Sequence, residues 1–152
     1  MKLDIKKVLP KDPFTYLGHK SIRIITAVYL LIVVIRSCVH LFASDGGANS
    51  IAGIDVSVEG GDNIIAIFHQ WGAIQLILAG LLVVLFFRYP GMTPLVVLTL
   101  AIDPIMRALA GQMMSVTSQS TPPGEALNWP AFFSLVLLFA ASIVESSSTK
   151  AK

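Results

Sequence analysis

Four long apolar stretches limit the folds open to this chain of 152 residues more than any other feature. They cover about residues 21–43, 63–87, 93–114 and 129–144. The first three exceed the roughly 20 residues with which a helix crosses the core of a bilayer, and the fourth is shorter. Because a helix satisfies its own backbone hydrogen bonds in lipid, the pattern predicts an all-α integral membrane protein, an antiparallel four-helix transmembrane bundle.

The composition supports this class and excludes several others. Hydrophobic residues make up 55% of the chain and charged residues 13%, whereas globular domains contain roughly 25% charged residues. A disordered chain, a nucleic-acid-binding protein and an ordinary soluble enzyme are therefore excluded. The sequence contains no P-loop, Rossmann glycine run or nucleophile elbow, which favours a protein without enzymatic activity.

The distribution of basic residues predicts the orientation of the chain. The loop over residues 44–62 contains four acidic residues and no Lys or Arg, so the positive-inside rule places both termini in the cytoplasm. We expect a basic cytoplasmic segment over 1–20, the transmembrane domain over 21–145 and a cytoplasmic tail over 146–152, in a bacterial inner membrane. The basic residues on the cytoplasmic side are Lys2, Lys6, Lys7, Lys11, Lys20, Arg23, Arg88, Lys150 and Lys152.

Three segments outside the spans carry predictions of their own. Pro90-Gly91 is a turn signal, so the second and third spans should form a tight antiparallel hairpin. Residues 54–58 alternate between apolar and polar types, which fits a short strand or a segment lying on the surface. The first 13 residues are expected to form a solvated tail held near anionic lipid.

Charged, amide and histidine side chains inside the spans mark the candidate site. A charge at the centre of a span costs roughly 2.5–3.5 kcal/mol, so such residues normally face the interior of the bundle. At about 1.5 Å per residue, the charged and histidine residues lie about 6–16 Å from the outer ends of their spans, in one layer of the outer half. The candidate ligand-binding residues are Arg36, His40, His69, Gln70, Asp103 and Arg107.

Helical spacing groups several of these residues. Tyr29, Arg36 and His40 share one face of the first span. Asp103 and Arg107 are four residues apart and should form an ion pair. The face of the second span that carries His69 also carries small residues at heptad spacing, which should let another helix approach closely: Ala66, Ala73 and Gly80.

The charged residues allow two interpretations. In the first, Asp103 and Arg107 form a purely structural ion pair. In the second, Arg36 and Arg107 exceed Asp103 by one positive charge and form a pocket for an anionic or carbonyl-bearing ligand, such as a lipid head group or a quinone. Arginine suits such ligands because its planar guanidinium donates two parallel hydrogen bonds.

The histidines also allow two interpretations. Each can hydrogen-bond a neighbouring helix, or His40 and His69 together can hold haem b between the first two spans as paired axial ligands. No metal-ion site is predicted, because the histidines and acids lack HxxxH or ExxH spacing.

Several short motifs in the second to fourth spans, roughly residues 61–145, point to a known group of proteins. They are Gly61-Asp62-Asn63, Phe68-His69-Gln70-Trp71-Gly72, Gly80, Arg107-Ala108-Leu109-Ala110-Gly111, Gly124 and Glu145. These motifs resemble those of small four-span bacterial membrane proteins close to the DoxX-like proteins. The resemblance implies an antiparallel four-helix bundle. It implies little about activity, although some members of that group are accessory subunits of oxidoreductases.

The leading functional prediction is a small, non-catalytic integral subunit or self-assembling component of a membrane complex. The segments outside the spans are too short for a catalytic domain. The expected partners are membrane lipid and either further copies of the chain or other subunits, with no cofactor. One alternative is an electron-transfer module that binds haem b or quinone, and a second is a small transporter or channel that functions as an oligomer.

Overall fold

The computed structural model describes residues 3–144, and in this range the chain is helical. Glu145 and the predicted cytoplasmic tail lie outside the described residues. Short 3-10 turns cover Ile5–Val8 and Pro90–Met92. The α-helices are α1 Lys20–Phe42, α2 Gly61–Arg88, α3 Thr93–Met113, α4 Pro123–Ala126 and α5 Asn128–Ser142.

The four long helices coincide with the four predicted apolar stretches, and their ends agree to within two residues. Three segments are long and apolar enough to cross a membrane: α1, α2 and Pro90–Met113. Helix α5 is also apolar but has 15 residues, which gives a length of about 22 Å. The structure thus confirms an all-helical chain with three helices of membrane-spanning length.

The long helices form two pairs, in which α1 packs along α2 and α3 packs along α5. A short turn joins α2 to α3 as predicted, but the two helices share few contacts along their lengths. The predicted tight turn is therefore present, but each of the two helices that it joins packs mainly on another neighbour. Between the pairs lies an apolar core of Leu30, Leu82, Phe86, Val96, Val97, Leu100 and Leu135.

The bundle has a basic end and an acidic end. At the basic end, residues 3–19 meet the α2–α3 turn and the last residues of α5: Gly91 N donates to Pro13 O at 2.8 Å and Asp4 N donates to Ile143 O at 3.2 Å. At the acidic end, the loop over 43–60 meets the loop over 114–122 through a 2.8 Å hydrogen bond from Gln119 N to Gly53 O.

Residues 3–19 are packed on the bundle, so the solvated tail predicted for the first 13 residues is wrong for residues 3–13. The reason lies at Gly91. A Cβ at this position would lie 2.7 Å from Asp12 O and 2.9 Å from Pro13 O and Thr15 O. Only glycine lets the backbone of the segment come so close to the turn.

Residues 54–58, for which a strand was one prediction, form no strand in the structure. Ile54 is buried at the acidic end, and its N–H donates to Ala48 O at 2.9 Å. The side chain of Asn49 donates to Ile54 O at 3.0 Å. The loop over 43–60 is therefore a series of turns that folds back on itself above α1 and α2.

Candidate functional site

Three charged side chains meet between the two helix pairs, in the half of the bundle nearer the acidic end. Arg107 Nε lies 3.1 Å from Asp103 Oδ2, which confirms the predicted ion pair within α3. Arg36 Nη2 of α1 lies 4.0 Å from the same carboxylate oxygen. We call Arg36, Asp103 and Arg107 the arginine–aspartate cluster.

Two residues of α2 hold Arg36 in place. With the Gln75 amide oriented so that its oxygen faces both donors, this oxygen accepts from Trp71 Nε1 at 2.9 Å and from Arg36 Nη2 at 3.1 Å. The Arg36 guanidinium carbon also lies 5.5 Å from the centroid of the Trp71 ring, within the range of a cation–π interaction. Trp71 and Gln75 were not among the predicted site residues, although their spacing of four residues places them on one face of α2.

The other side of the cluster contacts the segment before α5. Arg107 Nη1 donates to Gly124 O in α4 at 3.3 Å. Nearby, the buried Asn128 donates through Nδ2 to Pro104 O at 2.9 Å. These two bonds fix α4 and the start of α5 against the middle of α3. The cluster is therefore supported by α1, α2, α3 and α4.

The cluster carries unbalanced charge and is open to a ligand. Two guanidinium groups face one carboxylate, so the cluster has one positive charge in excess. The side chains of Arg36 and Arg107 are 25% and 29% exposed, and that of Asp103 is 45% exposed. Each guanidinium has five N–H donors in a fixed fork, more than the contacts described above use. Chemically, the cluster can bind an anionic or carbonyl oxygen beside Asp103.

His40 lies next to the cluster but is occupied by other contacts. It is 4% exposed, and its Nδ1–H donates to Gly46 O at 2.7 Å. Its ring centroid lies 4.6 Å from that of Trp71 and 5.7 Å from that of Phe68. His40 thus ties the loop over 43–60 to α1, and it packs on Trp71, which in turn contacts Arg36.

His69 faces α1, as its position on α2 predicted. Its Nδ1–H donates to Leu41 O at 2.9 Å. Histidines that bind a metal commonly donate their other ring nitrogen to a carbonyl in this way. However, the Trp71 ring lies 4.6 Å from the His40 ring, so haem bound to His40 would have to displace Trp71. The geometry favours packing roles for both histidines.

Helices α1 and α2 approach closely at Gly72, which is next to the predicted contact residue Ala73. A Cβ at Gly72 would lie 2.6 Å from Leu41 N and 2.7 Å from the carbonyl carbon of His40. Ala79, seven residues later, is 1% exposed. Ala66 and Gly80 are exposed, and a Cβ at Gly80 would meet nothing within 4 Å. The prediction of close packing was therefore right, but the closest approach is at Gly72, and two of the three predicted small residues, Ala66 and Gly80, are exposed.

Gln70 is exposed on α2 and makes no side-chain hydrogen bond with the part of the chain that the structure describes. Of the six predicted site residues, the structure therefore joins Arg36, Asp103 and Arg107, with His40 beside them. His69 bonds to α1 instead. Comparisons with family models, curated proteins and solved structures found no match to this chain, so the resemblance to the DoxX-like proteins stays a prediction from the residues that suggest it.

Proposed function

We propose that this chain is a four-span membrane protein that acts as a non-catalytic subunit or self-assembling component of a membrane complex. In this proposal, the arginine–aspartate cluster binds an anionic or carbonyl-bearing group, such as a lipid head group. One observation carries the proposal: two guanidinium groups converge on a single carboxylate that is 45% exposed.

The energetic argument follows from the position of the cluster. Each uncompensated charge in a span costs roughly 2.5–3.5 kcal/mol on insertion scales. Asp103 neutralises one of the two arginines, so a second negative group beside them would reduce this cost. Arginine also binds carboxylate and phosphate groups with two parallel hydrogen bonds. A ligand that supplies such a group would therefore bind at this point.

The surface of the bundle supports a membrane location. Only 22% of the residues in the most apolar windows of α1 and α2 are buried within the chain, and 33% in that of Pro90–Met113. The exposed remainder includes many large apolar side chains, as expected where lipid or another subunit covers the helices. They include Ile24, Val28, Leu31, Ile35, Ile67, Ile74, Ile77, Val84, Ile105, Leu109, Phe133 and Leu137.

Helix α5 serves as the fourth span in this proposal, and both termini are cytoplasmic. Because α5 runs alongside α3, it shares the depth of a helix that is long enough to cross. Local thinning of the bilayer can accommodate its short length at modest cost. Among the described residues, Lys6, Lys7, Lys11 and Arg88 lie at one end and the acids of the loop over 43–60 lie at the other, so the positive-inside rule favours a cytoplasmic basic end.

The orientation can be tested with single cysteines. In a Cys38→Ser background, Ser57→Cys at the acidic end should react with a membrane-impermeant maleimide added to intact cells. Lys6→Cys at the basic end should react only after the membrane is opened. Labelling of Lys6→Cys in intact cells would contradict the proposed orientation.

The function itself can be tested by native mass spectrometry in mild detergent. We expect a mass greater than that of one chain, from further copies or other subunits, with bound lipid. Arg36→Gln and Arg107→Gln should each retain less bound lipid than the original chain, whereas Arg88→Gln, a matched change at the exposed end of α2, should retain as much. The mass of one chain without lipid would overturn the proposal. A Soret band that shifts on reduction would favour the haem alternative instead.

A further inference from the structure

A cavity of about 250 Å³ lies at the basic end, far from the arginine–aspartate cluster. The N-terminal segment covers it, and the start of α3 and the end of α5 form its base. Pro94 and Ser142 line the helical side of the cavity, together with Gly91. Lys7, Lys11 and Tyr16 of the N-terminal segment are among the residues that line the opposite side. The cavity therefore exists only because residues 3–19 pack on the bundle.

Two hydrogen-bond donors at this cavity lack an acceptor. The Lys7 Nζ and Tyr16 OH atoms are buried and have no hydrogen-bond partner among residues 3–144. A buried ammonium group without a partner is costly, because it has lost its hydration shell. Burial raises the pKa of Tyr16 to about 12, although the nearby Arg23 opposes this shift, so the phenol keeps its proton and remains a donor.

The charge and size of the cavity restrict the ligand. Lys7 and Lys11 provide two positive charges, and Asp12 provides one negative charge. The Asp12 carboxylate already accepts from Phe14 N at 2.9 Å. The cavity thus carries an excess positive charge and two free donors. At about 250 Å³, it is smaller than the roughly 300–1,000 Å³ typical of sites for drug-sized ligands. These features suit a compact anion.

We propose that this cavity binds a phosphate group, with its oxygens accepting hydrogen bonds from Lys7 Nζ and Tyr16 OH. Lysine binds phosphate as a point charge, and hydrogen bonds to ionised oxygens are about twice as strong as neutral ones. Basic pockets at the cytoplasmic side of membrane helices suit phospholipid head groups. A soluble phosphate compound offers the same chemistry, so the two sources are separated by experiment.

The experiment uses the full-length chain, purified in mild detergent and freed of lipid. Phosphatidylglycerol is added for native mass spectrometry, with a diacylglycerol of the same acyl chains as the phosphate-free control. In parallel, inorganic phosphate is titrated and followed by phosphorus NMR. We expect a phosphatidylglycerol adduct and no comparable diacylglycerol adduct. Binding of inorganic phosphate alone, lost with Lys7→Gln, would support the phosphate site and identify a soluble source.

Neighbouring residues provide matched variants. Lys7→Gln should reduce the adduct by about fivefold or more, and Tyr16→Phe by about twofold to threefold. Lys6→Gln removes the same charge from an exposed residue that does not line the cavity, so it should leave the adduct unchanged. Arg36→Gln should also leave the Lys7-dependent adduct in place, which separates this site from the arginine–aspartate cluster.

Stability measurements show whether a variant has simply failed to fold. Because Lys7→Gln removes an unpartnered buried charge, the lipid-free variant should unfold at the same temperature as the original chain or higher. Phosphatidylglycerol should then raise the unfolding temperature of the original chain more than that of Lys7→Gln, in which the arginine–aspartate cluster alone remains to bind it. Equal loss of the adduct with Lys6→Gln and Lys7→Gln would overturn the proposal. Equal binding of phosphatidylglycerol and diacylglycerol, or no binding of either phosphate probe, would also overturn it.

Discussion

The acidic and basic halves of the bundle hold their helices together in different ways. In the acidic half, α1 and α2 approach closely at Gly72, and the polar side chains of Arg36 and Gln75 bond across helices. In the basic half, the helices pack through apolar side chains such as Leu82 and Val96. The bundle therefore has a closely packed polar layer in its acidic half and an apolar core in its basic half.

Arginine plays a different part in each half. In the basic half, Arg23 donates to Thr93 Oγ1 at 2.9 Å, to Phe86 O at 3.1 Å and to Pro90 O at 3.4 Å. Its guanidinium carbon also lies 4.3 Å from the centroid of the Phe86 ring. These partners are neutral oxygens in the last turn of α2, in the following turn and at the start of α3. Arg23 is therefore occupied in holding the α2–α3 turn, whereas Arg36 and Arg107 share one carboxylate and remain open to a ligand.

The largest loss of stability should come from placing a side chain in the narrow space between α1 and α2. Gly72→Ala puts a methyl group within 2.8 Å of His40 and Leu41 atoms, including backbone atoms that cannot move aside. We expect a loss of more than about 3 kcal/mol in the free energy of unfolding. Gly80→Ala is the control in the same helix, and it should be stabilising by about 0.5–1 kcal/mol. Unfolding in mixed detergent measures both, and equal stability of the two variants would show that α1 and α2 do not approach at Gly72.

The next largest loss of stability should come from replacing Arg23 in the basic half. Arg23→Gln should cost about 2 kcal/mol, because it removes hydrogen bonds from a charged donor to two carbonyls and a hydroxyl. Arg88→Gln removes the same charge from an exposed residue at the end of α2 and should cost less than about 0.5 kcal/mol. Thermal unfolding of the two variants checks the difference. A loss with Arg88→Gln as large as that with Arg23→Gln would mean that net charge matters and the bonds to the turn do not.

A smaller effect is expected within the arginine–aspartate cluster. A double-mutant cycle with Asp103→Asn and Arg107→Gln should give a coupling of about 1 kcal/mol, which is in the range of polar side-chain pairs inside membrane bundles. The cycle with Arg36→Gln should give a smaller coupling, because Arg36 lies 4.0 Å from the carboxylate and Arg107 lies 3.1 Å away. The free energy of unfolding of each single and double variant provides both values. A larger coupling to Arg36 would reverse the proposed order within the cluster.

Much of the fold could be predicted because it depends on local properties of the chain. The length of each apolar stretch set the bounds of the long helices to within two residues. The pairing of the helices could not be predicted, because a neighbouring helix is about as apolar as lipid and leaves no separate signal in the sequence. The packing of residues 3–19 was also missed, since the Gly91 contact depends on backbone atoms that are far apart in the chain.

The candidate site was also predictable where it depends on one helix, and it was missed where it depends on how the helices pair. The pair of Asp103 and Arg107 lies within one helix, so its spacing of four residues was enough to predict it. The choice between Gly80 and Gly72 depended on which side of α2 meets α1, and heptad spacing of small residues occurs on both sides. The role of Trp71 and Gln75 depended on the same choice, because both hold an arginine from another helix.

The smallest loss of stability should come from Asp45, whose carboxylate holds a turn in the loop of the acidic half. Its carboxylate accepts from Ser50 N at 2.6 Å, Gly47 N at 2.8 Å and Asn49 N at 3.1 Å. The Ser50 N–H makes the largest contribution to lowering the pKa of Asp45 from 3.8 to about 2. Since the folded-state pKa is depressed, the stabilisation is complete above about pH 4 and is lost as the pH falls through about 2.

The Asp45 side chain is partly exposed, so solvent screening should limit its contribution to less than about 1 kcal/mol. Hydrogen exchange of the Gly47, Asn49 and Ser50 amides, corrected for its intrinsic pH dependence, should show protection at pH values near 5 that declines near 2. Asp45→Ala should abolish this protection at both pH values, and Asp55→Ala in the same loop should leave it unchanged. Because the turn positions Gly46 O for His40, Asp45→Ala should also loosen the His40 contact. Protection that persists in Asp45→Ala would mean that the backbone turns alone order the loop, and the polar contacts that hold the acidic half together would then be confined to its helices.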